Sequence, residues 1–413
     1  IKAVPYDIPV IGYQNNTVNT LRLWSAELVK DISDLESYTK ADFDTYITNK
    51  NWVQRISKIL YPDDSTYDGR ELRLTQQYFF VSAGVQSIFR HFKNSGYDTK
   101  DFAEKVGIHI NDTHPAVAIP ELMRILIDEE ELDWNEAWEI TRKTMSYTNH
   151  TILPEALEKW PVDMFKNLLP RIYMIIEEIN RRFVLSINEK YGNYDKANEL
   201  AILQDGQIHM ARLAVIGSYS VNGVAAIHTE ILKDYAMAAF HQFYPGKFNN
   251  KTNGITHRRW LIKANPKLAD LISEAISPLW IKRPEQLSKL AKFAADSALQ
   301  DKTAKIKLEN KQKLAKYIQE KNGVKVDVNS IFDIQIKRIH SYKRQIMNAL
   351  HIMDLYNRLR ENPNLDITPR TFIFGGKAAP GYYMAKETIK LINTLGEKIN
   401  NDKSIKDKLK VIF

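Results

Sequence analysis

The stretch from Ile331 to Gln345 constrains the fold most, because its pattern changes from that of a strand to that of a helix within a few residues. Phe332, Ile334 and Ile336 alternate with polar residues, which is the period of a half-buried strand. From Tyr342 onward, apolar residues recur at helical spacing. Between the two patterns lie the basic residues Lys337, Arg338, His340, Lys343 and Arg344. The sequence therefore predicts a basic turn that joins a strand to a helix.

Such a turn is a candidate phosphate site, because in an open parallel sheet it faces the ligand crevice and the helix start adds positive potential. Basic residues after a strand are also common in solvated loops, so residue type alone leaves both interpretations open. A second turn favours the phosphate interpretation: RTFIF at 370–374 runs into GGKAAPG at 375–381, where Lys377 adds charge. The spacing matches neither a Walker loop nor a dinucleotide fingerprint, so we predict no nucleoside triphosphate site.

Composition narrows the class of protein. A chain of 413 residues exceeds the size of most single cores, so we expect more than one domain. The absence of cysteine excludes disulfides and thiolate chemistry, and it favours a cytoplasmic location. No apolar stretch approaches the roughly 20 residues of a membrane span. A net charge of +8 would suit nucleic acid, but no basic tract is interleaved with stacking aromatics. We therefore predict neither a membrane nor a nucleic-acid partner.

The segment from Asp333 to Phe413 predicts a doubly wound half-sheet. Its elements are a strand, a helix over about 342–360, a strand over about 371–375, a helix over about 382–399 and a last strand.

The segment before it predicts α/β structure with much helix. Residues 105–110 resemble a strand, and a helix is expected from about Pro120. Asp133 with Glu136 predicts the cap of a further helix, which we expect to reach 147–150. Longer helical patterns run over about 165–190, 256–275 and 284–321.

Polar clusters follow several of these elements, where binding groups often lie. Taken alone, the clusters at 111–114 and 149–151 are explained better by turn chemistry than by a binding role. A metal bound by Asp112, His114 and His150 lacks a recognised ligand spacing, so we predict no metal site.

Longer motifs are spread along the chain. They are VPYD at 4–7, NTLRLWSA at 19–26, LYP at 60–62, ELRL at 71–74, NDTHP at 111–115, YTNHT at 147–151, LPEALEKWP at 153–161, VNGVAAIH at 221–228, TNGIT at 252–256, KRIHSYKRQ at 337–345 and GGKAAPGY at 375–382. In this order they resemble the α-glucan (glycogen or maltodextrin) phosphorylase family over nearly the whole chain.

The resemblance implies an α/β fold with two Rossmann-like domains of the glycosyltransferase-B type, both incomplete here. Residues 1–253 would be the C-terminal portion of the N-terminal glucan-binding catalytic domain. Residues 254–413 would be the N-terminal portion of the C-terminal domain, which binds cofactor and phosphate. The implied active site lies in the cleft between the domains. The implied reaction is phosphorolysis, in which inorganic phosphate removes the nonreducing-end glucose of an α-1,4-glucan as α-glucose 1-phosphate with retention.

The resemblance also implies the cofactor, the assembly and a set of phosphate-binding residues. The cofactor is pyridoxal 5'-phosphate, with its Schiff-base lysine outside this chain, and the parent protein is expected to be a homodimer. Arg338 corresponds to the arginine that grips substrate phosphate, and Lys337 and Lys343 correspond to lysines near the cofactor phosphate. A guanidinium fork and lysine point charges suit these tasks. Tyr342 corresponds to a residue near the sugar hydroxyls.

Further residues correspond to the family's sugar contacts. His150 and Asn253 correspond to residues that hydrogen-bond the transferred glucosyl unit. Asp112 and His114 correspond to the acceptor side of the catalytic cleft, and Asp64 to an acidic residue in a loop that gates entry. We predict that Arg338, Lys343 and His150 are catalytic and that the other residues bind substrate or cofactor.

The chain departs from the family pattern at two positions and at both ends. Ser341 stands where Glu is frequent, and His257 stands where Pro is frequent; both are interpreted as local variation. A Gly-rich loop expected before Ile1 and the segment expected after Phe413 are not in the sequence, so the chain is expected to be a piece of a longer phosphorylase and inactive alone. Two alternatives are a nucleotide-sugar glycosyltransferase of the same fold and a noncatalytic glucan-binding fragment.

Overall fold

The computed structural model describes residues 1–29, 39–153, 157–192 and 194–413. These residues form two compact units, Ile1–Asn253 and Gly254–Phe413, and each unit has its own hydrophobic core. Residues 154–156, which belong to the motif LPEALEKWP, lie outside the described residues. In the described ranges, no helix is both long and apolar enough to span a bilayer.

The strands of the first unit form three sheets. They are β1 (Lys2–Ile11), β2 (Val18–Glu27), β3 (Ile108–Asn111), β4 (Met145–Thr148), β5 (Lys159–Pro161), β6 (Leu203–Gln204), β7 (Gln207–His209), β8 (Ser220–Gly223) and β9 (Phe248–Asn250). Strands β1 and β2 form an antiparallel hairpin, and β5, β7 and β6 form a small antiparallel sheet. Strands β3, β4, β8 and β9 form a parallel sheet in that order.

Helices account for most of the rest of the first unit. They are α1 (Lys40–Lys58), α2 (Tyr67–Asn94), α3 (Phe102–Lys105), α4 (Ala118–Arg124), α5 (Trp134–Thr144), α6 (Val162–Leu168), α7 (Pro170–Tyr191), α8 (Tyr194–Leu200), α9 (Met210–Ile216), α10 (Ala226–Ile231) and α11 (Ala238–Phe243).

The two faces of the parallel sheet differ in chemistry. On one face Ile110, Tyr147 and Val221 lie in register and are buried in the core of the unit. On the other face Thr148 lies beside Asn222, and the Thr148 hydroxyl donates to Asn222 Oδ1 at 2.8 Å. Strands of a parallel sheet are usually apolar on both faces. The polar face is therefore a specific feature of this sheet. Its polar residues lie near the carboxyl ends of the strands.

The second unit contains the predicted alternation of strands and helices. Its elements are α12 (Pro266–Ile276), α13 (Ser297–Asn322), β10 (Ile331–Ile336), α14 (Gln345–Glu361), β11 (Arg370–Gly375), α15 (Tyr383–Asn400) and β12 (Leu409–Ile412). The three strands are parallel in the order β10-β11-β12. The predicted half-sheet is confirmed, with helix starts within three residues of the expected positions.

The predicted end of α5 is wrong, although its cap is confirmed. Asp133 Oδ1 accepts from the backbone N–H groups of Asn135 and Glu136, at 2.8 and 3.2 Å. The helix stops at Thr144, and the next four residues form β4. The pairing of that strand with two parallel neighbours outweighs the short-range helical pattern.

Other boundaries also differ from the sequence prediction. Helix α4 begins at Ala118, so Pro120 is its third residue rather than its first. The helical stretch expected over 165–190 breaks between α6 and α7, and the one over 256–275 is α-helical only in α12. The stretch over 284–321 is a run of 3₁₀ turns, Pro284–Phe293, followed by α13.

Strand β10 is less buried than its alternation predicts. Ile334 and Ile336 are 51% and 65% exposed. Strand β10 is an edge strand of the described sheet, and the burial of its side chains depends on packing that its own sequence does not encode.

Candidate functional site

Two turns lie side by side at the carboxyl ends of β10 and β11. The basic turn comprises residues 337–345, and the glycine turn comprises residues 375–382. They are adjacent because the last residues of the two parallel strands pair in register. Beyond the strands the Lys337 N–H donates to the Gly375 carbonyl at 3.0 Å. The two turns therefore form one surface at the edge where open parallel sheets bind ligands.

Gly376 allows this close approach. A β-carbon at this position would lie 2.1 Å from the Lys337 carbonyl oxygen, and the backbone has φ +155°. Next to this contact the Ile339 N–H donates to the Lys377 carbonyl at 3.1 Å. A side chain at Gly376 would push the turns apart, so the glycine is required by packing as well as by backbone conformation.

Gln345 holds the basic turn from beneath. Its side chain is buried, donates to the Arg338 carbonyl at 3.0 Å and accepts from the His340 N–H at 3.4 Å. Arg344 has φ +65°, which folds the chain back immediately before α14. The turn is thus fixed by its backbone, while its basic side chains remain available for a ligand.

The two turns concentrate positive charge. Their basic side chains are those of Lys337, Arg338, Lys343, Arg344 and Lys377. Lys343 is half-buried, with Nζ 4.9 Å from the centre of the Tyr342 ring, and the other four are exposed. Among the described residues, no carboxylate lies within the 4.0 Å ion-pairing distance of any of them. Uncompensated cations on a fixed backbone attract multiply charged anions such as phosphate.

Aromatic side chains border this surface. The His340 ring centre lies 4.6 Å from that of Tyr342 and 4.9 Å from that of Tyr382. The Tyr382 hydroxyl donates to Ser341 Oγ at 3.0 Å, which links the glycine turn to the basic turn. Tyr342 is about half exposed beside the cations.

In the first unit, polar residues follow the ends of the parallel strands. Asp112 follows β3 and has φ +68°. Its backbone N–H donates to the Thr148 carbonyl at 3.0 Å, and its Oδ1 accepts from the Thr113 N–H at 2.7 Å. His114 follows in the same turn and is exposed.

His150 lies beside the end of β3. It comes two residues after the end of β4, is exposed, and its Nε2 forms a hydrogen bond with Asn111 Oδ1. The preceding residue, Asn149, is fully buried, and its N–H donates to the Asn222 carbonyl at 2.9 Å. The position of His150 is thus fixed by neighbours on two strands.

Asn253 lies at the same edge. It follows β9, is exposed, and its backbone N–H donates to the Val224 carbonyl, just beyond β8, at 3.0 Å. Asp112, His150 and Asn253 come from distant parts of the sequence, and the carboxyl ends of parallel strands bring them to one edge.

Asp64 occupies a different place in the first unit. It precedes α2 and forms an ion pair with Arg73. Arg73 also pairs with Glu158, Nη2 to Oε2 at 2.8 Å, and the Glu158 side chain is largely buried. The loop that carries Asp64 is therefore tied electrostatically to the residue that precedes β5.

Sequence reasoning did not single out His228, although it ends the motif VNGVAAIH. It lies in α10 and forms hydrogen bonds with Val224 and Asn149, next to two predicted sugar contacts. Burial, and then the nearby charge of His150, lower the pKa of His228. The sequence did contain a signal for this residue: a histidine in the first turn of a helix that follows a glycine-containing strand end.

The described residues include no group of three or more His, Cys, Asp or Glu side chains that could hold a metal ion. The absence of a metal site stays a prediction.

Comparison with known proteins identifies the family of the chain. The family model for carbohydrate phosphorylases matches residues 1–413. Glycogen phosphorylase of Bacillus subtilis (strain 168) is 52% identical over 414 residues, covering 100% of this chain and 51% of that protein. The muscle form of glycogen phosphorylase from Oryctolagus cuniculus and the brain form from Homo sapiens are each 48% identical over 425 residues, covering 100% of this chain and 50% of theirs.

The chain thus spans about half the length of the curated relatives that it matches. The match extends through both units, including the strand ends of the first unit and the paired turns of the second. On this evidence the chain belongs to the carbohydrate phosphorylase family.

Proposed function

We propose that the protein containing this chain is an α-1,4-glucan phosphorylase. It transfers the nonreducing-end glucose of glycogen or maltodextrin to inorganic phosphate and yields α-glucose 1-phosphate with retained configuration. The observation that carries the proposal is the surface of the basic and glycine turns, where five basic side chains lack a carboxylate partner among the described residues.

The basic turn supplies the phosphate contacts. Arg338 binds the substrate phosphate, because its planar guanidinium can donate two parallel hydrogen bonds to one anion. Lys337 and Lys343 neutralise the cofactor phosphate as point charges. Tyr342 lies next to these cations in the structure and contacts sugar hydroxyls. The substrate phosphate and the cofactor phosphate repel each other and lose hydration when they bind. Fixed cations are therefore required to hold the two anions close together.

The carboxyl edge of the first unit supplies the sugar contacts. His150 and Asn253 hydrogen-bond the transferred glucosyl unit, and Asp112 with His114 lines the acceptor side. Asp64 belongs to a loop that controls entry, and its ion pair with Arg73 ties that loop to α2. Exposed polar groups on a fixed backbone suit recognition of a hydroxyl-rich ligand.

The residues present fit the phosphate of pyridoxal 5'-phosphate. The cationic turn and the close backbone approach at Gly376 suit a phosphate monoester in the same way as inorganic phosphate. When bound, the cofactor supplies a phosphate that can exchange a proton with the substrate phosphate. The cations of this chain keep two anions adjacent, and the reaction then needs no pair of catalytic carboxylates, unlike most glycosidases.

We propose that the parent protein is a cytoplasmic homodimer that binds α-1,4-glucan and phosphate, and we propose no metal, nucleic-acid or membrane partner. The relatives reported above are named glycogen phosphorylases, which favours phosphorolysis over the alternative, a nucleotide-sugar glycosyltransferase of the same fold.

The test is phosphorolysis of maltoheptaose by the whole protein. We expect glucose 1-phosphate from maltoheptaose and phosphate, and no comparable transfer from a nucleotide sugar. Arg338→Lys should reduce kcat/KM at least ~100-fold, because it removes the bidentate contact with the phosphate that accepts the glucosyl unit. Arg360→Lys, on an exposed site near the end of α14, is the matched control and should leave the rate unchanged. Equal activity of both variants would contradict the role of Arg338.

The chain itself should bind maltooligosaccharide without turning it over. Glucose 1-phosphate formation by the isolated chain at ordinary enzyme rates would contradict the expected inactivity. If the whole protein binds glucan but lacks phosphorolysis, the noncatalytic alternative is favoured instead.

A further inference from the structure

His228 connects the two strand ends that carry His150 and Asn253. Its Nδ1 accepts from the Val224 N–H at 3.0 Å, and its Nε2 lies 3.1 Å from Asn149 Oδ1. The Val224 carbonyl in turn accepts from the Asn253 N–H at 3.0 Å. One imidazole ring thus contacts the residue before His150 and the residue that anchors Asn253.

We infer that His228 is a positioning residue, which acts as a neutral Nε2–H imidazole and fixes the placement of His150 relative to Asn253. The part of this inference that concerns glucan binding rests on the proposed function. Its structural part, the coupling of two loops through one tautomer, stands on the hydrogen bonds alone.

Two backbone N–H groups determine the tautomer independently. The Val224 N–H can only donate, so Nδ1 of His228 carries a lone pair. The Thr151 N–H donates to Asn149 Oδ1 at 3.0 Å, which identifies that atom as the amide oxygen. Because Nε2 of His228 faces this oxygen, Nε2 carries the proton. Both ends of the network therefore require the same neutral form.

The remaining contacts leave the ring little freedom. A β-carbon at Gly223 would lie 3.1 Å from Nδ1 of His228, so the strand end approaches the ring closely. Asn149 is fully buried, and its Nδ2 donates to the Tyr147 hydroxyl at 3.1 Å. The amide that His228 contacts is therefore itself held in one orientation.

Protonation of His228 would disrupt this arrangement. A charged ring has a proton on Nδ1, which would face the Val224 N–H with no acceptor between them. The titratable group that acts on the ring is His150, whose charge lowers the pKa of His228 after burial does. The neighbours Asn149, Asn222 and Thr229 are neutral. The structure therefore favours the neutral ring at physiological pH.

The first test is the tautomer in the unmodified chain. Two-bond ¹H–¹⁵N spectra of chain labelled with ¹⁵N-histidine should show His228 as the Nε2–H form at pH 7, assigned by loss of its signals in His228→Gln. An Nδ1–H tautomer or an imidazolium at pH 7 would overturn the inference.

The second test is amide hydrogen exchange in variants that each retain one contact. His228→Asn retains an acceptor near the Nδ1 position, and His228→Gln retains a donor near the Nε2 position. His228→Asn should speed exchange at the Thr151 amide, and His228→Gln at the Val224 and Asn253 amides, each by about 10-fold for one lost buried hydrogen bond. His91→Gln, on the exposed surface of α2, is the control. Unchanged exchange at all three amides in both variants would overturn the inference.

The third test is affinity for maltoheptaose as a function of pH. Each variant should bind about 10-fold more weakly than wild type at pH 7.5. Wild type should lose affinity toward acidic pH more steeply than either variant, because only wild type has this ring to protonate. If wild type binds glucan and the variants bind equally well at every pH, the positioning role is wrong. If wild type binds no glucan, the proposed function fails, and the exchange experiment still decides whether His228 couples the two loops.

Discussion

Gly376→Ala tests whether the contact between the basic and glycine turns creates the anion site. The new β-carbon would lie 2.1 Å from the Lys337 carbonyl oxygen and 3.0 Å from its carbon. A contact under 3.0 Å forces backbone movement, because the obstacle is main chain and cannot rotate away. Overpacking of this kind costs about 1–3 kcal/mol, and the unusual φ adds about 1–3 kcal/mol. We therefore expect the local free energy of unfolding to fall by about 2–6 kcal/mol.

Gly323→Ala is the matched control within the same unit. Gly323 ends α13 with φ +70°, and a β-carbon there would meet nothing within 4 Å. Gly323→Ala carries the cost of the backbone conformation without a clash, so we expect it to lower the free energy of unfolding by about 1 kcal/mol. The loss in Gly376→Ala beyond that of the control reports the contact with Lys337 together with the different φ of Gly376.

The assay is hydrogen exchange of the Lys337 and Ile339 amides at increasing urea, combined with a phosphate titration. Gly376→Ala should expose both amides and weaken phosphate binding at least ~10-fold, which corresponds to about 1.4 kcal/mol. Gly323→Ala should change neither the exchange of these amides nor the phosphate affinity by more than a small factor. If the two variants behave alike in both measurements, the reasoning that links turn packing to anion binding is refuted.

Two further predictions concern buried charges in the first unit. Lys247 is 8% exposed, and burial followed by the charge of Arg142 lowers its pKa from 10.5 to about 7. Between these pKa values the folded state therefore binds fewer protons than the unfolded state, so the free energy of unfolding of the wild type rises with pH. Any stability advantage of Lys247→Met at pH 7 should therefore shrink by up to about 2.7 kcal/mol at pH 9. Urea unfolding at the two pH values measures this change. Glu121 is fully buried and pairs with Arg124 at 2.9 Å, so Glu121→Gln should cost about 2–4 kcal/mol, whereas exposed Glu139→Gln should cost less than about 0.5 kcal/mol.

Each of these predictions has a clear contrary result. A difference between Lys247→Met and wild type that is constant from pH 7 to pH 9 would mean that the lysine titrates normally in the folded chain. Equal costs for the two glutamate variants would mean that the buried pair contributes no more than a surface pair. Both comparisons use the midpoint and slope of urea unfolding, so a change in the denatured state would be visible in the slope.

The part of the second unit from β10 to β12 was predictable because its elements depend on local patterns. Alternation in β10, helical spacing after Tyr342 and the glycine turn each lie within a few residues of the feature that they predict. The burial of Ile334 and Ile336 was not predictable in this way, since it depends on which elements pack on an edge strand.

The first unit shows the limits of local reasoning. Strand β4 has four residues and follows α5 directly, with no glycine or proline to mark the change. Only its pairing with β3 and β8 makes it a strand. His228 is a comparable case, because its role depends on atoms of Asn149 and Val224 that the fold brings together. Apart from Asp64, the residues named by family resemblance lie in turns that follow strand ends. The hydrogen bonds of His228 that link the segments of His150 and Asn253 are visible only in the structure.

The most direct test of the central claim is a ³¹P NMR titration of orthophosphate into the whole protein and its Arg338→Met and Arg360→Met variants. If the basic turn holds phosphate, wild type and Arg360→Met should bind saturably at one site, and Arg338→Met should bind at least ~10-fold more weakly. An absence of saturable binding in wild type, or equal affinity in Arg338→Met, would contradict the assignment of this turn as the phosphate site.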